Sequence, residues 1–217
     1  MGKQFKKYIE NHTRRQLSEL VDHSEKIWKA LEQSEFIAPR VESSSDFVIF
    51  YEYLDLRVRI DEAWRNKLDI DPLIFRKIGE MLLLIHNGPT DRLLHGDYVL
   101  HNIFLNASRK VCLIDCHPPK VIGYNKSFLY GDGKMEMYLF SLNLASSLGV
   151  KIALVNLRLV MKAMRNFRQG YATSGSILSL TSASVRFFKI RRASGFSVFN
   201  ASIHLIIGLF LIGASHG

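Results

Sequence analysis

Hydrophobic residues recur along this chain with two periods, and the switches between them mark its elements. From Thr13 to Leu31, the residues Leu17, Leu20, Val21, Ile27, Trp28 and Leu31 repeat at helical spacing, which predicts an amphipathic helix. A second helix is predicted over Leu73–His86, with Ile74, Ile78, Met81, Leu82 and Ile85 on one face. Asp71 and Pro72 stand where its N-cap and first helical residue belong, and Asn87-Gly88-Pro89 closes it. Shorter runs read as strands. Met1 to Ile9 carries the β-compatible Phe5, Tyr8 and Ile9, and Phe47 to Tyr51 is aromatic and β-branched throughout, as a buried strand would be. Pro39 and the polar run Glu42 to Asp46 read as a break between elements. Ile103-Phe104-Leu105 and Val111 to Ile114 flank a turn-like Asn106-Ala107-Ser108-Arg109 and predict a β-hairpin.

Beyond Tyr138 the pattern is helical to about Tyr171, followed by a Ser/Gly-rich link and further apolar helical stretches. The last of these, Ala201 to Ala214, is only fourteen residues long and contains His204. A bilayer crossing takes about twenty apolar residues, so a buried terminal helix is expected, with interfacial membrane contact as the other reading.

Composition narrows the class. With 47% hydrophobic and 23% charged residues over 217 positions, the chain is globular and neither disordered nor fibrous. Two cysteines exclude a disulfide-stapled scaffold and no secretory leader opens the chain, which points to the cytoplasm, with a peripheral place at the inner membrane face as an option. The net charge of +9 is unevenly placed. Residues 1–136 hold 20 basic and 20 acidic side chains, whereas residues 137–217 hold nine basic ones and no acidic one. Such a segment suits an anionic partner, whether a phosphorylated glycan, a lipid surface or nucleic acid; a solvated basic face is the plainer alternative. Arg186, Lys189, Arg191 and Arg192 lie beside Phe187, Phe188 and Ile190, but no nucleic-acid motif accompanies them.

Three oxygen-bearing residues carry the candidate chemistry. Asp97 falls in a loop in His95-Gly96-Asp97, Asn102 follows at the start of the hairpin, and Asp115 ends the returning strand. Hairpin closure therefore brings Asp115 back toward Asn102. Hard oxygen ligands around a partly hydrated Mg²⁺, completed by substrate phosphates, are what phosphoryl transfer uses, and D-x-x-x-x-N is the spacing of the protein-kinase catalytic loop. Cys112, Cys116 and His117 suggest zinc less well, because a fourth ligand at convincing spacing is missing.

His-Gly-Asp, four residues, Asn-Ile-Phe-Leu and then Leu-Ile-Asp together resemble the aminoglycoside phosphotransferase and choline kinase branch of the protein-kinase-like superfamily. Gly79 to His86 looks like the helix preceding this loop, and Gly131-Asp132 with Glu136 falls where that family has Gly-Asp-Pro-x-x-Asp. Leu113-Ile114-Asp115-Cys116-His117 is also similar to a stretch of the lipopolysaccharide core kinases, which phosphorylate heptose or Kdo sugars. The resemblance covers roughly residues 1–171.

It implies an α+β, protein-kinase-like two-lobed fold: a trimmed amino-terminal lobe and hinge over 1–54 and a mainly helical catalytic lobe over 55–171, followed, outside the resemblance, by a basic, apolar helical segment over 172–217. It further implies an ATP- or GTP- and Mg²⁺-dependent phosphotransferase acting on a hydroxyl of a small molecule or sugar; the charge of the basic segment separately suits contact with an anionic lipid or lipopolysaccharide. Asp97 would orient the acceptor hydroxyl, Asn102 and Asp115 would hold the metal, and His95 would fix the loop. Lys3 would reach the phosphates with Glu25 as its helix partner, in preference to Lys6 with Glu19, and Glu52 and Tyr53 would meet the adenine. The chain opens at the strand that should follow a glycine-rich loop, so the rival expectation is a catalytically impaired kinase-like binding domain.

Overall fold

A computed structural model describes residues 4–9, 12–45, 47–66, 70–88, 90, 92–148, 155–172 and 176–214. Strand β1 (Gln4–Tyr8) leads into helix α1 (Arg14–Leu31), whose start is set by a capping box between Thr13 and Gln16. Its apolar face, Leu17, Leu20, Ile27 and Leu31, is buried. Strands β2 (Val41–Ser45) and β3 (Val48–Glu52) then form an antiparallel hairpin, and β1 pairs with β3 on its other side, giving the order β1-β3-β2. The polar run expected to be a break is thus largely an edge strand. Only Val41 of β2 is buried, so Glu42 to Ser45 keep polar side chains in water while their backbone pairs with β3. The expected fully buried strand at 47–51 is buried on one face only. Ile49 and Tyr51 point inward, and Phe47 sits in the turn with φ 71°.

Two elements escaped the periodicity because each is short: β4 (Leu56–Arg59) and α2 (Ile60–Arg65). Helix α3 (Ile74–His86) follows. Asp71 accepts the Leu73 N–H at 2.9 Å, so the cap lies one turn of chain earlier than the helix it stabilises. The predicted hairpin forms as β5 (Ile103–Asn106) and β6 (Val111–Leu113), with Arg109 at φ 58° in its turn, and β4 adds to β5 to give the order β4-β5-β6. Residue Ile37 bridges to β6 in parallel, with its N–H on Val111 O at 3.0 Å and its carbonyl accepting Leu113 N–H at 2.8 Å. This linker ties the first sheet to the second.

Helices α4 (Gly133–Ser147), α5 (Leu157–Tyr171), α6 (Ile177–Ala193) and α7 (Val198–Ala214) complete the described chain, which is therefore mixed α+β with two small antiparallel sheets. Helix α4 is buried nearly all round, because α6 and α7 lie on it. Ala183, Phe187, Leu211 and Ile212 from the last two helices enter the same hydrophobic cluster as α3, α5 and the hairpin. Where α3 crosses α5, glycines permit the contact. A Cβ on Gly79 would sit 2.0 Å from Phe167 O, and one on Gly170 would sit 1.9 Å from Arg76 O. Among the described residues no helix is long and apolar enough to cross a membrane, and α7 buries Ala201, Gly208, Leu211 and Ile212 while leaving Phe199, Ile206 and Phe210 exposed.

Candidate active site

The loop ahead of β5 is held from below by one buried carboxylate. Glu136, on the first turn of α4, accepts the backbone N–H groups of His95 and Gly96, each at 2.9 Å, and bonds His86 Nε2 at 3.0 Å. Burial pushes the Glu136 carboxyl up, but His86 and the loop N–H groups outweigh it and hold the acid below its usual range. His86 is in turn bonded by the Tyr171 hydroxyl at 2.6 Å. His95 fixes the loop as expected of it: its Nε2–H donates to Ile114 O at 3.2 Å and its Nδ1 accepts the Asp97 N–H at 3.3 Å. Gly96 has φ 98°, and a Cβ there would meet the His117 backbone at 3.1 Å, so the residue between His95 and Asp97 has to be glycine.

On this footing Asp97, Asn102 and Asp115 come together. Asn102 Nδ2 donates to Asp97 O at 2.9 Å and to Asp97 Oδ2 at 3.3 Å, while its backbone carbonyl accepts Ile114 N–H at 3.0 Å, beside Asp115. Asp115 itself adopts φ 57°, a conformation that non-glycine residues take up at a cost and that is concentrated at functional sites. The two acids are electrostatically opposite. Burial, together with the charge of Asp115, raises the Asp97 carboxyl to about 7. Burial also opposes ionisation of Asp115, but the His117 hydrogen bond and the Lys7 ammonium win and hold it far below the ordinary carboxylate range. Two nearby acids with separated affinities for protons are the pattern of a base beside a charge-holding ligand.

Among the described residues, the lysine paired with Asp115 is Lys7. It bonds both carboxylate oxygens of Asp115 from the end of β1. Lys6 lines the slot but makes no bond to Asp115: its ammonium lies 5.7 Å over the Phe50 ring, and its candidate partner Glu19 is engaged by Arg15 and Tyr124. Lys3 lies outside the described residues. Glu25 is half-buried on α1 and shares no hydrogen bond or ion pair with another described residue, and the expected Lys3–Glu25 pair lies outside the described residues. Neighbouring residues of a strand point to opposite faces, so Lys6 and Lys7 cannot both meet Asp115.

His117 is the residue whose role the sequence concealed. It is buried and neutral, because burial depresses its imidazole despite the Asp115 charge. Its Nδ1–H donates to Asp115 at 3.2 Å, and Nε2 faces the Tyr51 hydroxyl at 3.2 Å and the Ser24 hydroxyl at 3.3 Å. Ser24 and Tyr51 are bonded to each other at 3.0 Å, so α1, β3 and Asp115 are joined through one ring. The signal available in sequence was an imidazole two residues after a candidate metal ligand.

Two cavities meet at Lys7, Asp115 and His117. A narrow slot of about 100 Å³ runs between the first sheet and the hairpin, lined by Ile27, Tyr51, Leu54 and Leu113 among others. Glu52 also lines it, whereas Tyr53 is exposed and lines neither cavity. An open cavity of about 660 Å³ lies on the other side and contains Asp97, His101, Lys120 and Arg191. Among the described residues no three His, Cys, Asp or Glu side chains gather as a metal cage. The donor set is of another kind: a carboxylate and a carboxamide, whose Nδ2 is spent on Asp97 and whose oxygen has no partner among the described residues. Such hard donors fit Mg²⁺, which retains waters and takes its other ligands from phosphates. Cys112 and Cys116 are both buried thiols raised to about 11 by burial, which suits packing and not metal ligation. The chain matches no protein-family model and no curated protein.

Proposed function

We propose that this chain is an ATP- and Mg²⁺-dependent phosphotransferase on a kinase-like two-lobed framework, phosphorylating a hydroxyl of a small molecule or sugar. The observation that carries the reading is the convergence of Asp97, Asp115 and Lys7 on one roomy cavity, with Asn102 buried behind them and bonded to Asp97, and with an apolar slot opening at Lys7 and Asp115. In this reading the nucleotide base occupies the slot beside Glu52 and Leu54, and the acceptor enters the larger cavity. Asp97 accepts the hydrogen bond of the acceptor hydroxyl, orients it and takes its proton late in the step. Its proton affinity near neutrality suits that task. Lys7 leaves one carboxylate to share its charge with the phosphates. Asn102 and Asp115 hold the metal, which neutralises charge on the transferring group. Glu136, His86 and His95 keep the loop rigid, so the alcohol is aimed without reorganisation.

The rival, a kinase-like binding domain without turnover, is favoured by one observation: Lys7 neutralises the very acid that should hold the metal, while Glu25 stands without it. Thermal-shift titration of the purified chain with ATP, with and without Mg²⁺, separates the two. A metal-dependent shift that Asp115→Asn abolishes supports the enzyme, as does loss of turnover in Asp97→Ala. No shift in the wild-type chain overturns the phosphotransferase reading.

A further inference from the structure

Helix α6 belongs to the segment without acidic residues, yet its last turn enters the cavity that holds Asp97. Arg191 lines that cavity. Its guanidinium lies 5.0 Å from the Phe187 ring and 5.2 Å from the Phe196 ring and donates one N–H to Ser146 Oγ. Arg191 has no carboxylate partner among the described residues. The other arginine of the cavity, Arg65, is neutralised by Asp61. Lys120, on the loop after Asp115, lines the same cavity and likewise has no acidic partner among the described residues.

A half-buried arginine held in place by two rings, with several N–H donors unspent and no counter-ion, is costly unless something anionic completes it. Neither Arg191 nor Lys120 lines the slot assigned to the nucleotide base, and Lys7 already stands at the junction where the phosphates belong. We infer that Arg191 and Lys120 form an anion subsite for the acceptor, so that the preferred acceptor is an alcohol already carrying a phosphate group or similar anion. The inference rests on the phosphotransferase reading for the word acceptor, but the subsite itself stands on the cavity and its two unpaired cations.

The test uses the full chain and three probes followed by calorimetry: glucose, glucose 6-phosphate, and phosphatidylcholine vesicles doped with phosphatidylglycerol, whose headgroup also joins a hydroxyl to a phosphate. Glucose 6-phosphate or the doped vesicles are expected to bind and glucose is not; which of the two binds decides between a soluble and a lipid-borne acceptor. Arg191→Gln should weaken that binding roughly ten- to a hundred-fold, the loss of a charge-assisted bidentate contact. Lys120→Gln, an exposed substitution that leaves packing alone, should weaken it several-fold. Arg192→Gln, at a residue lining neither cavity, should leave it unchanged. Binding of neither anionic probe, or binding indifferent to both Arg191→Gln and Lys120→Gln, overturns the subsite. A parallel titration with MgATP keeps the two ideas apart. Arg191-dependent anion binding without any MgATP shift retains the subsite and removes the kinase, and the reverse outcome removes only the subsite.

Discussion

Replacing Asp97 by asparagine should stabilise the protein while removing the proposed phosphotransfer, and the size of the effect follows from the site. Asparagine keeps the oxygen that accepts Asn102 Nδ2 and removes the charge that burial and Asp115 make unfavourable. The carboxyl rises from an ordinary aspartate value of 3.8 to about 7 in the fold. At 1.36 kcal/mol per pH unit that is a penalty on the order of 4 kcal/mol once the acid is ionised. Because the folded state binds the proton more tightly than the unfolded one, stability falls as pH rises through the window from about 4 to about 7. The asparagine variant escapes this slope. Its advantage over wild type should therefore grow by roughly 2–3 kcal/mol between pH 5 and pH 8. Urea unfolding of both proteins at the two pH values measures it directly. Parallel stabilities across that range would refute the reasoning, because they would mean that Asp97 is an ordinary solvated carboxylate.

The opposite sign is expected at Asp115, whose acid is held low. Its contribution is present above about pH 4 and lost as pH falls, so Asp115→Asn should cost roughly 1–3 kcal/mol at pH 7, read by urea denaturation, and the difference should shrink in acid. Lys7→Met should abolish any ATP-dependent turnover, whereas Lys6→Met, at a slot residue with no bond to Asp115, should reduce it far less; equal effects would count against the assignment of Lys7. Glu136→Gln strands a buried N–H of the loop and should lower the melting temperature by several degrees, with faster amide exchange at His95 and Gly96 as its local signature. Gly79→Ala or Gly170→Ala drives a Cβ into a backbone carbonyl across α3 and α5, and either should destabilise by about 3 kcal/mol or more in the same denaturation assay. A tolerated alanine at both positions would mean that the crossing is looser than described.

Much of this protein was legible along the chain, because local periodicity is written in the residues that make it. Helices α1 and α3, the hairpin β5–β6 and the gathering of Asp97, Asn102 and Asp115 at one end of it required only spacing, turn chemistry and the antiparallel return of a strand. Strand β2 was hidden because an edge strand with one buried residue has no hydrophobic alternation to display. What lay wholly in the tertiary structure was partnership between distant residues. Lys6 and Lys7 were chemically equivalent until the course of β1 placed Lys7 against Asp115. His117 was an ordinary imidazole until α1 and β3 brought Ser24 and Tyr51 to it, and Arg191 was one cation in a basic tail until α6 packed on α4 and turned it into the cleft. Sequence sets which side chains can carry a charge or a hydrogen bond. The distances across the fold decide which charges meet, and with them the pKa values on which the chemistry depends.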